Sequence, residues 1–186
     1  DGRTGFLTAA ERIHELWTGK RESVNQTSAM IAREVRRLSG PGVLAEPVEL
    51  NGELLQAIAK GIEGQYDPLW GGVDFNPRRP DGPRFPNVPR LRFLLSLYRQ
   101  TGEKKLWDIV SNSLTSMAKG GIRDHLGGGF HRYSTERTWT VPHFEKMLYD
   151  QAQLLEVYAE ALQVEANPLY QQVVDELVGF LTREMT

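Results

Sequence analysis

His143 and Glu145, two positions apart, are the residues of this sequence best suited to moving protons, because imidazole and carboxylate groups are readily tuned to act as acid or base near neutral pH. They sit in a stretch, residues 127–150, that reads G-G-G-F-H-R-Y-S-T-E-R-T-W-T-V-P-H-F-E-K-M-L-Y-D and mixes acids, bases and aromatic rings. Around such a pair, His131, Arg132 and Tyr133 could hold a polar ligand, and Arg132 or Arg84 could grip an anionic one or simply bridge loops. Trp139, Tyr133, Trp70 and Phe85 offer flat apolar faces of the kind that stack on a sugar ring, although loop aromatics equally serve to anchor a loop to the body. Asp124 with Glu145 could form the carboxylate pair of a hydrolase, but Asp also closes glycine turns by accepting backbone N–H bonds. Glu145 itself has a plainer reading as a carboxylate near a helix start, paired with Arg132, Lys146 or Arg123. For His143 the plainer reading is a hydrogen bond to the loop backbone. His125, His131 and His143 follow no zinc spacing and the chain has no cysteine, so neither a metal nor another cofactor is expected.

The elements that must position these groups are helical. Thr8 and Glu11 have the capping-box pattern, and Trp17, Val24, Ile31 and Leu38 recur every seven residues, which predicts one long or once-broken helix over residues 8–38, with its polar middle at 25–28. Ser39-Gly-Pro-Gly42 ends it and residues 43–50 read as a linker, so a boundary is expected between 42 and 43. Further helices are expected at 51–62, burying Leu54, Leu55, Ile58 and Ile62, then from Pro89 to a stop at Thr101-Gly102, and at 103–118, closed by Gly120-Gly121. A proline-rich loop over residues 67–89 precedes the second of these. After the glycines at 127–129, Phe130 to Val141 reads as an ordered loop or short hairpin turning at residues 134–137 and packed down by Phe130, Tyr133 and Trp139. Pro142 then reads as the first residue of a helix running to about Val164, with His143 and Glu145 in its first turn. Asn167 and Pro168 open the last helix.

Composition narrows the function classes. The 22 basic and 24 acidic residues give a net charge of −2 without a basic block, so nucleic acid is not an expected partner. No run of eighteen apolar residues suggests a membrane span and no N-terminal stretch resembles a secretory signal, which favours the cytoplasm and leaves the compartment open. The absence of cysteine excludes disulfides and dithiol redox chemistry within these 186 residues.

Internal repetition carries the architecture. Asp67-Pro-Leu-Trp-Gly-Gly72 aligns with Asp124-His-Leu-Gly-Gly-Gly129, Leu94-Leu-Ser-Leu-Tyr98 with Leu154-Leu-Glu-Val-Tyr158, and Leu106-Trp107 with Leu169-Tyr170. The offset is about sixty residues, with two helices in each unit, which implies helical hairpins stacked side by side. The predicted fold is all-α, an arc of an α/α toroid with glycine-rich loops on one rim.

Residues 120–154, G-G-I-R-D-H-L-G-G-G-F-H-R-Y-S-T-E-R-T-W-T-V-P-H-F-E-K-M-L-Y-D-Q-A-Q-L, closely resemble the spermatogenesis-associated protein 20 family, and weaker similarity extends over almost the whole chain. Pro83-Arg-Phe-Pro86 is similar to that family's Pro-Lys-Phe-Pro stretch, with Arg84 in place of lysine, whereas residues 73–82 replace its short glycine–phenylalanine turn. The resemblance implies a protein joining a thioredoxin-like domain to a six-hairpin toroid, similar to those of sugar epimerases and six-hairpin glycosidases. Residues 1–42 would trail the thioredoxin-like domain and 43–186 would form the first hairpins, with the remaining hairpins beyond Thr186. The expected function is carbohydrate-active, epimerase-like or hydrolase-like, on a small-molecule ligand. The alternative is a non-catalytic binding or scaffold module serving the thioredoxin-like domain.

Overall fold

The structure, a computed structural model, describes residues 5–39 and 51–185. The chain separates into two compact units, Asp1–Leu50 and Asn51–Thr186. The linker expected at 43–50, and with it the boundary at 42/43, lies outside the described residues.

The smaller unit holds α1 (Phe6–Gly19) and α2 (Arg21–Ser39), packed on each other without a single buried side chain. The expected break at the polar residues 25–28 is instead at Lys20, after Gly19, where helix propensity is lowest. Thr8 caps nothing: α1 starts at Phe6 after an extended Gly5, so Thr8 lies inside the first turn. Trp17 and Arg21 meet across the break, the guanidinium 4.3 Å from the ring centre.

In the larger unit α3 (Gly52–Glu63) is capped by the Asn51 side chain, which accepts from Leu54 N–H at 3.0 Å. Of its apolar residues, Ala59 and Ile62 are buried, whereas Leu55 and Ile58 are exposed, contrary to expectation. Helix α4 (Val88–Thr101) carries Pro89 near its start and ends on Gly102 in the left-handed region, φ 71°. Helix α5 (Lys104–Lys119) buries Leu106, Ile109, Val110, Leu114 and Met117. Helix α6 (Leu148–Leu162) is followed by α7 (Pro168–Glu184), whose Asn167 cap accepts from Leu169 N–H at 3.0 Å.

Two layers result. Helices α4 and α6 lie side by side in one, and α5 and α7 pack on them and on each other in the other. The core runs between the layers through Leu91, Leu94, Leu106, Leu114, Leu154, Val157, Val173 and Leu177. Polar ties respect the same plan: Tyr158 Oη donates to the Leu114 carbonyl at 2.7 Å, Tyr170 Oη to that of Ser111 at 2.9 Å, and Arg92 spans from α4 to Glu156 and Glu160 of α6.

The residues expected to begin α6 do not. Pro142–His143 form a strand, β2, antiparallel to β1 (Tyr133–Ser134), with Tyr133 opposite His143 and Ser134 opposite Pro142. The nearby backbone is also engaged: Arg132 N–H donates to the Glu145 carbonyl at 2.7 Å and Glu145 N–H to that of His143 at 2.7 Å. These bonds hold residues 143–145 out of the helix, which starts after an extended Met147. Among the described residues, no helix is long and apolar enough to cross a membrane.

Candidate functional site at the loop end

Two aspartate turns build the loop end, and their hydrogen bonds match. Asp67 Oδ1 accepts from the N–H groups of Leu69 (3.0 Å) and Trp70 (3.2 Å), and Asp124 Oδ1 from those of Leu126 (3.0 Å) and Gly127 (2.8 Å). In each, the Asp N–H donates to the second glycine's carbonyl, Gly72 or Gly129, and the first glycine, Gly71 or Gly128, donates to the Asp carbonyl. All four glycines have positive φ, 69° to 87°, a region that a side chain would strain. Each turn lies on the second helix of its hairpin. A Cβ on Gly71 would come within 2.9 Å of Ser113 Cα in α5, and one on Gly128 within 3.1 Å of the Glu176 carbonyl in α7.

A small sheet spans the first turn and the hairpin. Arg84 N–H donates to the Ser134 carbonyl at 2.8 Å and Ser134 N–H returns the bond at 2.9 Å, so Arg84 extends the β1–β2 pair as a third rung. The rings of Phe85, Tyr133 and His143 stack in series across these strands, with centroids 4.8 and 4.7 Å apart. The loop between β1 and β2 is wound around Glu136, a residue that sequence reasoning passed over. Its carboxylate accepts from Thr138, Thr140 and Val141 N–H and from the Ser134 and Thr138 hydroxyls. Burial works against ionisation there, but these donors outweigh it and hold the group down to about 2.

Beside the stack lie the groups expected to carry chemistry. Arg132 Nη1 bonds Glu145 Oε2 at 3.1 Å, and His143 Nε2 lies 3.7 Å from the same oxygen. The three side chains are 39%, 38% and 48% exposed, so solutes can reach them. Asp150, in the first turn of α6, stands near enough that the charges of Arg132 and Glu145 are both felt at its carboxyl. Burial raises its affinity for a proton, Arg132 opposes and Glu145 adds, leaving the group above the ordinary aspartate range. Its Oδ2 is buried without a hydrogen-bond partner. His131 packs edge-on against Phe144, its Nδ1 also buried and unpartnered, and burial followed by the nearby Lys146 lowers its affinity for a proton.

Several expected ligand contacts are instead committed to the interior. Arg84, 2% exposed, bonds Asp67 Oδ2 (3.1 Å), Asp74 Oδ1 (2.6 Å) and the Gly71 carbonyl (2.7 Å). Trp139 is wholly buried at φ 65° and its indole N–H donates to the Trp70 carbonyl at 2.8 Å. Room for it comes from Gly120, where a Cβ would meet the Trp139 carbonyl at 2.6 Å, so this glycine accommodates the loop rather than forming a left-handed helix cap. Asp124 closes its turn and binds Lys146 Nζ at 2.7 Å, and the Lys146 bond, then the Gly127 N–H, hold its carboxyl far below the usual range. His125 bonds the Gly120 carbonyl, and among the described residues no group of three or more His, Asp or Glu side chains could hold a metal ion.

The sequence carrying this loop end is shared. The chain is 36% identical to spermatogenesis-associated protein 20 of Mus musculus and 35% identical to that of Homo sapiens, over 193 aligned residues covering 99% of this chain. The chain belongs to the spermatogenesis-associated protein 20 family. It spans 23% of the length of these two relatives. An uncharacterised protein of Caenorhabditis elegans is 37% identical over 163 residues, 86% of this chain and 21% of that protein. No family model matches the chain. Within this family segment, Glu145, His143, Arg132, Tyr133, His131 and Phe85 gather at the loop end, while Arg84, Trp139 and Asp124 belong to its internal framework.

Proposed function

We propose that the loop end is an acid–base site for a neutral, polyhydroxylated small molecule of the carbohydrate kind, within an α/α toroid that carries out an epimerase-like or hydrolase-like reaction. The observation that carries this reading is the convergence of Arg132, His143 and Glu145, each more than a third exposed, beside a carboxyl, Asp150, that holds its proton unusually well. In this reading Glu145 and His143 move protons and Arg132 orients the ligand, while Phe85, Tyr133 and His143 border it with apolar ring surface. A thermal-shift screen of sugars and sugar phosphates tests it. A stabilising hit that disappears in the His143→Ala plus Glu145→Gln double variant is expected, because a ligand bound only to the native state raises its melting point.

One observation favours a second reading. His143 and Glu145 face each other, and Arg132 occupies the glutamate, as in a network that satisfies itself. On that reading the loop end is a non-catalytic binding or scaffold surface serving a thioredoxin-like domain. It requires that no sugar shift the melting point and that the double variant itself melt well below the parent.

A further inference from the structure

We propose that Glu136 is the positioning residue of this site: its carboxylate fixes the β1–β2 register that sets His143 against Tyr133 and brings Glu145 to Arg132. That role rests on the reading above, in which these groups meet the ligand, and accounts for what holds them in place.

The strands themselves are too short to set it. Each has two residues, and a strand pair of that length is marginal in water. On its far side β1 is braced by Arg84, whereas β2 opens with Pro142, which has no N–H to donate, and among the described residues β2 pairs with β1 alone. The Arg132 N–H bond to the Glu145 carbonyl closes one end of the pair across an irregular step, where Glu145 N–H is turned onto the His143 carbonyl. A slip of one residue would place Pro142 or Phe144 opposite Tyr133 and turn the His143 side chain to the other face of the pair.

The connecting loop supplies what the ladder lacks. Glu136 Oε1 accepts from the Ser134 hydroxyl in β1 (2.9 Å) and from the N–H groups of Thr140 (2.7 Å) and Val141 (3.1 Å), the two residues that lead into Pro142. Its Oε2 accepts from the Thr138 N–H and, at 2.6 Å, from the Thr138 hydroxyl. One oxygen thus ties the end of β1 to the start of β2, and the two together bracket Trp139, which sits at φ 65°. An ionised carboxylate only accepts, which suits five converging donors. Glutamine at this position would turn an amide nitrogen toward N–H groups or hydroxyls that now donate, so the clamp fails without any change in side-chain length.

The test uses the whole 186-residue chain and its Glu136→Gln variant, and follows the imidazole proton signals of His143 by NMR, assigned with His143→Ala. In the parent the Tyr133 ring, 4.7 Å away and nearly parallel, should move these signals upfield of the free-histidine position. In Glu136→Gln that upfield shift should be lost while circular dichroism still reports the helices. If the glutamine variant does not fold, Ser134→Ala, which removes only the bond from β1, should move the same signals part of the way. Signals that stay upfield in the folded variant overturn the role of Glu136 whatever happens to Tm, because a carboxylate that only stabilises the fold lowers Tm without moving the imidazole. Any sugar of the thermal-shift panel that binds the parent should bind Glu136→Gln at least about tenfold more weakly, although Arg132, His143 and Glu145 are all retained, and equal binding overturns the role as well. A parent that binds no sugar sinks the carbohydrate reading instead, and the imidazole signals still decide the part played by Glu136.

Discussion

The two aspartate turns share one backbone design and differ in what neutralises them. Asp67 is wholly buried and is met by Arg84, from the strand beside β1, and by Arg137, from the loop seventy residues on, with bonds of 2.6 to 3.1 Å. Asp124 is partly exposed and is met by one flexible amine, Lys146, which also reaches the Gly128 carbonyl and lies 4.4 Å from the Phe180 ring centre. The same turn thus serves as a buried junction in the first copy and as a local clasp in the second. Repetition of sequence preserved the backbone bonds, while the second oxygen of each carboxylate was free to take a different task.

Breaking the buried junction should cost most. Asp67→Ala leaves the Arg84 guanidinium buried with one counter-charge fewer, and a loss of about 3–5 kcal/mol in urea denaturation is expected. Gly72→Ala attacks the same turn sterically: its φ is 87° and the new Cβ would lie 2.2 Å from Arg84 Nη2 and 2.8 Å from the Trp139 ring. A cost of about 2–4 kcal/mol combines the left-handed strain with overpacking. Gly128→Ala, whose nearest clash is at 3.1 Å, should cost less in the same assay. At the second turn, Lys146→Met should lower stability by only about 1 kcal/mol, with the loss shrinking in high salt. Smallest of all, Leu69→Ser and Leu126→Ser should each change stability by less than about 0.5 kcal/mol, because both turn-tip leucines are exposed, Leu126 completely. A Leu126 variant that melted much lower would mean that this tip is covered in solution.

Much of the helical plan was legible because its signals are local. Asn167-Pro168, Gly102 and the stripe of α5 announce themselves within a few residues of where they act, and the aspartate turn was recognisable because it occurs twice. The helix expected from Pro142 was misread for the opposite reason. Proline suits a first helical turn and an extended strand equally, and the choice was made by Ser134 and Arg132, eight or more residues away. From their types Arg84 and Trp139 could face a ligand or tie the loops together, and the choice was not legible because whether a loop side chain points inward depends on what lies behind it. Here that is the Asp67 carboxylate and the Trp70 carbonyl. Glu145, His143, Arg132 and Tyr133 lie together because they flank one short hairpin, not because a helix start gathers them. Asp150 was expected only to pack within the helix and make a cap-like or inter-helix hydrogen bond, and its buried oxygen without a donor has no counterpart in sequence.

The Trp139 indole has a consequence for how the two hairpins share their free energy. In an array of repeats each unit carries an intrinsic term and a coupling term to its neighbour, and the coupling decides whether units can fray one at a time. Trp139 belongs to the second copy's hairpin but donates to the first copy's turn at Trp70, and Arg137 two residues before it reaches Asp67 in the same turn. Neither bond survives if either copy opens. These bonds add to the coupling between the units, so the two hairpins are expected to melt in a single cooperative transition.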